Sequence, residues 1–324
     1  MNKFVALAAA LLTGLSLFAT SCERAPNSGK KLFIMVPKGV HPYYGPCWQG
    51  FQDAAKKYGV AVDQRTPNEF QLPQQVQVLE NVIASKPAGI AISAIDDEGL
   101  KNVIDKATEA GIKVLTFDAP APSTKAITYI GTLNPQAGYD AAVELAKLMN
   151  NEGEVAILQG GLGTPNLNDR FEGFKKALAE KAPNIKIVDR MDTEGKKDLA
   201  VTKTENILTA HPNVKAIFGI SSECVPGASA VIKRQNKKGI ILAGFDDDPE
   251  TLAAIRDGTC SFCIAQKTYK MGWMALEKLV DATEGKPVEN QYDTGVIFVT
   301  KANIDTYMKD VMAEFQSATA ETQK

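Results

Sequence analysis

Chemistry-bearing residues crowd first into "MVPKGVHPYYGPCWQGF", Met35 to Phe51, between a short apolar run and a helix-like stretch. The segment offers Lys38, His41, Tyr43, Tyr44, Cys47 and Trp48. A hydrolase could use His41 as its base, but no G-x-S-x-G elbow presents a nucleophile to it. A metal centre would need ligands at recognisable spacing, and the sequence has no H-E-x-x-H, no EF-hand loop and no second cysteine pair. The other histidine, His211 in "LTAHPNV", reads as a helix C-terminus, where the helix dipole favours it. Cys260 and Cys263 form a CxxC, but in an apolar, strand-like segment. Positions i and i+3 of a strand lie about 10 Å apart on opposite faces, beyond the ~7 Å reach of a disulfide. "LQGGLGTPN", Leu158 to Asn166, is glycine-rich, yet lacks the Gly-Lys-Ser/Thr of a phosphate loop and the spacing of a dinucleotide fingerprint. In "FDDDPE", Asp247 or Asp248 is expected to cap a helix opening near Pro249. No cofactor and no metal is expected.

The same inventory suits a pocket for a neutral polyhydroxy molecule. Such a ligand needs charged groups that make strong hydrogen bonds to several hydroxyls, a role open to Asp118, Asp246 and Arg170. Ser93, Asn166, Asn168, Ser221 and Gln266 can donate and accept. Flat apolar faces for sugar C–H groups would come from Tyr43 and Tyr44. Lys38 and His41 are candidate polar contacts, whereas Cys47 and Trp48 are expected to begin the following helix and pack inward.

The elements that must position these residues alternate. Apolar runs of strand length ("LFIMV", "AGIAISA", "IKVLTF", "EVAILQ", "IKIVDRM", "VKAIFGI", "GIILAGF", "SFCIAQ") are separated by amphipathic stretches such as "QGFQDAAKKYG", "DEGLKNVIDKATEAG" and "NDRFEGFKKALAEKAP". Strand–helix alternation at this spacing predicts a doubly wound α/β fold. The pattern also repeats. "KPAGIAISAIDDEGLKNVIDKATEAGIKVLTFDAPAP" and "HPNVKAIFGISSECVPGASAVIKRQNKKGIILAGFDDDP" share strand, loop, helix, strand and a terminal Phe-Asp. Ile90 to Ile217 is an offset of 127 and Asp118 to Asp246 one of 128. Two similar lobes are therefore expected, each with an aspartate at the carboxyl end of a parallel strand, the edge where open α/β sheets bind ligands.

The chain has 324 residues and a net charge of −2, which leaves no large basic footprint for nucleic acid. Lys3 followed by an apolar run from Phe4 to Phe18 reads as a secretory signal, residues 1–21, rather than a membrane span. Cys22 after Ala19-Thr20-Ser21 resembles a lipoprotein box, with Ala19 where leucine is usual. Lipidation there would hold the exported protein at a membrane surface in the periplasm or cell envelope. Residues 22–30 read as a polar linker and 313–324 as a frayed tail.

From about Lys31 to Asn303 the chain resembles the periplasmic sugar-binding proteins of bacterial ABC importers, the ribose-binding-like group of type I periplasmic binding proteins. The marks are "HPYY", "TFDAP", "NDRFEGF", "ILTAHPNVKAIF", "AGFDDDPETLAAIRDG" and "IAQ". The resemblance implies two lobes joined by three crossings, 31–132 with 267–295 and 133–266 with 296–312. It also implies closure over one sugar, docking of the closed form on a membrane permease, and no catalysis. A monomer is expected. The resemblance assigns Tyr43 and Tyr44 to stacking, and Asp118, Asp246, Arg170 and Gln266 to the ligand. Ser93 and Ser221 stand where ribose binders carry asparagines, Ala119 where they carry an arginine, and His41 where they carry an asparagine. These departures argue against ribose itself. "VPK" at Val36 to Lys38, Asp118 and Pro226 to Ala228 resemble the branch that binds autoinducer-2, although that branch has Asp-Gln where this chain has Asn166-Leu167. Autoinducer-2, deoxysugars, or a sensing role through a chemoreceptor are the alternatives. A LacI-type repressor would need an N-terminal helix-turn-helix where the signal stands.

Overall fold

The computed structural model describes residues 29–311, so the signal segment, Cys22 and the 313–324 tail lie outside the described residues. Two six-stranded sheets form the framework. The first contains β1 (Leu32–Val36), β2 (Ala61–Gln64), β3 (Gly89–Ile92), β4 (Lys113–Phe117), β5 (Tyr129–Gly131) and β11 (Gln291–Asp293). The second contains β6 (Glu152–Gln159), β7 (Asn184–Asp192), β8 (Val214–Gly219), β9 (Ile241–Phe245), β10 (Phe262–Gln266) and β12 (Val296–Thr300). Their orders, β11-β5-β4-β3-β1-β2 and β12-β10-β9-β8-β6-β7, are the same winding taken twice. The duplication read from the two Phe-Asp units is thus a duplication of topology, the 2-1-3-4-5 order of one doubly wound class.

Strand composition follows from burial on both faces. Phe33 and Met35 point to the face covered by α1 (Tyr44–Tyr58) and α9 (Thr268–Thr283), where they meet Phe51, Leu276 and Leu279. Ile34 and Val36 point to the face covered by α2 (Leu72–Ala84) and α3 (Asp97–Glu109), among Leu79, Leu100 and Val114. In the second sheet Val155 and Ile157 face α4 (Asn134–Leu148) and α5 (Pro165–Lys181). Ala156 and Leu158 face α6 (Lys197–Ala210), α7 (Cys224–Arg234) and α8 (Pro249–Asp257). Prolines open α2, α4, α5 and α8, where a missing N–H costs nothing. Asp248 caps α8 as expected, accepting from the backbone N–H groups of Glu250 and Thr251.

The chain passes between the sheets three times: from β5 into α4, from β10 into α9, and from β11 into β12. The last passage produces a departure from a purely parallel reading. β11 runs parallel to β5, but β12 runs antiparallel to β10, with Val296 opposite Gln266. The strand enters the second sheet at the end where β10 leaves it, so it can only run outward.

Helix pairing next to the passages is close enough to exclude side chains. A Cβ on Gly272 of α9 would lie 1.7 Å from the Cys47 carbonyl of α1, and one on Gly138 of α4 would lie 1.9 Å from the Arg170 carbonyl of α5. α1 also begins earlier than its amphipathic stretch suggests, at Tyr44, with Cys47 fully buried and Trp48 half-buried as expected.

Candidate functional site

Asp118 and Asp246 follow directly on β4 and β9, and both take the left-handed backbone region, with φ of 59° and 71°. For a non-glycine residue that conformation is uncommon, although aspartate tolerates it better than most. It turns each carboxylate off its sheet and toward the space between the two sheets.

That space is a cavity of about 520 Å³, counting its open mouth, in the size range of small-molecule sites. Ten of the twelve residues expected from sequence line it: Lys38, His41, Tyr43, Tyr44, Asp118, Asn166, Arg170, Ser221, Asp246 and Gln266. Ser93 and Asn168 do not. Ser93 lies behind Asp118 and donates to its Oδ2 at 2.6 Å. Asn166 and Arg170 are four residues apart on one face of α5, and Asn168, two residues on, points away. Its amide donates to the Leu162 carbonyl at 2.8 Å and accepts from Gln159 at 3.1 Å and from Arg190.

Asp118 is heavily partnered. Tyr43 Oη donates to it at 3.0 Å and Tyr44 Oη at 3.1 Å, and Lys38 Nζ stands 3.3 Å away. Burial alone would raise its pKa, but Lys38 and the hydroxyl donors outweigh that and hold it below the usual carboxylate range. Lys38 itself is pushed down by burial and also donates to Asn166 Oδ1 of α5 at 3.1 Å, bridging the two sheets' residues. The tyrosines are thus less free than a stacking platform. Tyr44 packs in the core, edge-on to Tyr43 and Phe117, and uses its hydroxyl to hold the carboxylate.

The second aspartate accepts from Gln266 Nε2 at 2.7 Å, and Thr132 at the first passage donates to Gln266 Oε1 at 2.8 Å. Burial pushes Asp246 up to about 7, although Arg170 and Gln266 pull the other way. Arg170 is 1% exposed; its guanidinium stacks on Phe245 with 4.0 Å to the ring centroid. Nε donates to Asn134 Oδ1 and Nη1 to the Ile220 carbonyl, each at 2.9 Å, while Nη2 has no acceptor among the described residues.

The match to known proteins agrees with this geometry. A family model described as periplasmic binding protein domain matches residues 32–287. The chain belongs to the periplasmic binding protein domain family. It is a binding protein, not an enzyme. Its relatives include the ribose import binding protein of Bacillus subtilis, 27% identical over 296 residues, covering 89% of this chain and 94% of that one. The D-allose-binding periplasmic protein of Escherichia coli is 25% identical over 298 residues, 89% of this chain and 94% of that one. Among solved structures, an ABC transporter solute-binding protein from Burkholderia graminis in complex with D-arabinose superposes with a TM-score of 0.82 at 37% identity, covering 85% of this chain and 96% of that one.

In this binding protein the cleft also holds Gly160 and Thr164 of the glycine-rich segment, and Phe70, Leu167, Gly195, Ser222 and Glu223, none of them among the expected contacts. Most sit in loops after the carboxyl ends of strands, so the ligand-edge rule applied to every loop could have found them. Phe70 precedes α2, and its ring stands edge-on to His41 at 6.0 Å between centroids.

Proposed function

We propose that the protein is the solute-binding component of an ABC sugar importer and takes a monosaccharide or related polyol into the cleft. The observation that carries this reading is Arg170 Nη2, a buried donor without an acceptor among the described residues, on a side chain that lines the cavity. Leaving such a group unpaired costs about 1–3 kcal/mol or more, and a ligand oxygen would remove that cost. Asp118, Asp246, Asn166, Ser221 and Gln266 would share the ligand hydroxyls with it. Tyr43, Tyr44, Lys38 and His41 would form the first-lobe wall, and Ser93 would act through Asp118. Opposite charges occur together in the cavity, which suits a neutral ligand, and the sugars named for the relatives are neutral.

The bodies 31–132 with 267–295 and 133–266 with 296–312 would close by bending at the three passages. A closed form of that kind would dock on an importer permease. Export with lipid attachment at Cys22 completes the reading; incorporation of a palmitate analogue that persists in Cys22→Ser would sink that part alone. The main test is a thermal-shift screen over pentoses, hexoses, deoxysugars and polyols. A bound sugar raises the melting temperature by mass action. No stabilisation by any of them at millimolar concentration would overturn the sugar reading.

A further inference from the structure

Glu223 precedes α7 at its N-cap position, yet its side chain makes no cap hydrogen bond. The carboxylate turns instead into the cleft and is 7% exposed. Thr193 Oγ1 and Ser221 Oγ both donate to Oε1, the latter at 2.8 Å, and Cys224 Sγ approaches the same oxygen at 3.4 Å. Ser221 Oγ in turn accepts from the Gly160 N–H at 2.8 Å. Among the described residues every partner of the Glu223 carboxylate is therefore on Oε1, and the loops after β6, β7 and β8 together fix that oxygen.

Across the cleft stands His41, on the loop after β1. The Tyr43 N–H donates to its Nδ1 at 3.2 Å, which places the ring proton on Nε2 and makes that nitrogen a donor. Glu223 is the charge that acts on His41 most strongly. In the sheet order, β8 lies two strands from β10, which carries Gln266, and neighbouring strands are about 4.8 Å apart. Glu223 thus stands toward the end of the cavity remote from Gln266, and in the other sheet His41 follows β1, two strands from β4, which leads into Asp118.

We infer that Glu223 and His41 form a distal subsite that receives a hydroxyl-bearing exocyclic carbon, so that the cleft favours a hexose over the pentose of the same ring configuration. This rests on the sugar-binding reading above. In the subsite the ligand hydroxyl donates to Glu223 Oε2 and accepts from His41 Nε2–H, one hydrogen bond in each direction. A pentopyranose, which lacks the carbon, leaves both groups facing water.

The test compares sugar pairs that differ only by the hydroxymethyl group: D-glucose with D-xylose, D-galactose with L-arabinose, and D-allose with D-ribose. Affinities are measured by titration calorimetry on the full mature chain and on Glu223→Gln and His41→Gln, with melting of each unliganded variant as the check on folding. The expected result is a hexose preference of at least tenfold in whichever pair binds. Glu223→Gln should then reduce hexose affinity at least tenfold and pentose affinity less than threefold. A pentose bound as tightly as its hexose, or equal losses for both sugars in Glu223→Gln, overturns the subsite and leaves the sugar reading intact. Failure of all six sugars to bind overturns the subsite; failure of the wider screen as well overturns the sugar reading beneath it.

Discussion

Asp118 and Asp246 come from the same repeated unit, end equivalent strands and share the same left-handed backbone, yet their surroundings differ. Asp118 is met by one ammonium and three hydroxyls, and its charge is stabilised without a ligand. Asp246 has one amide donor, and burial disfavours its charge. The repeat fixes where a carboxylate stands; the side chains around it decide whether that carboxylate is complete before the ligand arrives. On this view the first lobe presents a finished, preorganised acceptor, and the second a group that the ligand completes.

Removing each carboxylate tests the contrast most severely. Asp118→Ala leaves Lys38 buried without its counter-charge, and breaking a buried pair from one side costs about 3–5 kcal/mol. Urea unfolding of the unliganded protein should show that loss. Asp246→Ala strands no counter-charge and leaves only the Gln266 amide without its acceptor, so the loss of unliganded stability should be smaller, about 1–3 kcal/mol. Sugar affinity should fall by about 1.5–3 kcal/mol, roughly 10- to 100-fold. Equal losses of unliganded stability in the two variants would end the distinction.

The two cations are placed by different means as well. Lys38 is held by Asp118 itself, whereas Arg170 is held by Asn134, the Ile220 carbonyl, the Phe245 ring and the tight approach of α4 to α5 at Gly138. Gly138→Ala must push the Arg170 backbone away, and overpacking of this kind costs about 1–3 kcal/mol. Both melting temperature and sugar affinity should fall. An affinity unchanged while stability drops would show that Arg170 is not positioned through this helix pair.

A smaller effect concerns pH. Between the ordinary carboxylate range and about 7 the folded protein holds a proton on Asp246 that the unfolded chain has released. This group therefore makes unliganded stability decline as pH rises through that window. Sugar hydroxyls that donate to Asp246 favour its charged form, so binding should strengthen over the same rise and release a proton. His41, lowered by burial, acts with the opposite sign: its contribution is lost as pH falls below the usual histidine range. Asp246→Asn separates the two. The variant should lose the falling limb of the stability profile between pH 5 and 7 (~2 units) and keep the histidine limb. A profile identical to that of the parent would rule Asp246 out as the titrating group.

Legibility in the sequence divides along similar lines. Strands buried on both faces announce themselves as apolar runs, so β1, β3, β4, β6, β8, β9 and β10 could be read, and the edge strand β7 through its apolar "IKIV". The strands β2 ("AVDQ"), β5 ("YIG") and β11 ("QYD") are three or four residues long and carry polar side chains, too little for any periodicity to register. The duplicated Phe-Asp led directly to both aspartates. Partner sets did not follow, because Asp118's tyrosines come from α1 and its N-cap and its lysine from the loop after β1, a convergence that only the folded sheet creates. Glu223 carried no local signal, since at a helix start a carboxylate reads as a cap, and only the fold shows that it turns away.

The finest distinction lies within α5, where one helix offers two asparagines. Asn166 accepts from Lys38 across the cleft and lines the cavity; Asn168 faces Leu162, Gln159 and Arg190 behind the glycine-rich loop. Asn166→Ala removes the acceptor of a buried ammonium and should weaken sugar binding by about 1.5–3 kcal/mol. Asn168→Ala loosens the loop but leaves Arg190 its contacts with Gln159 at 3.0 Å and with the Phe171 ring. Its effect on affinity, read by the same calorimetry, should stay within about 0.5 kcal/mol, as for a site away from the ligand. An Asn168→Ala loss as large as that of Asn166→Ala would mean that the loop, and not only the helix face turned to the cleft, belongs to the second lobe's unfinished side.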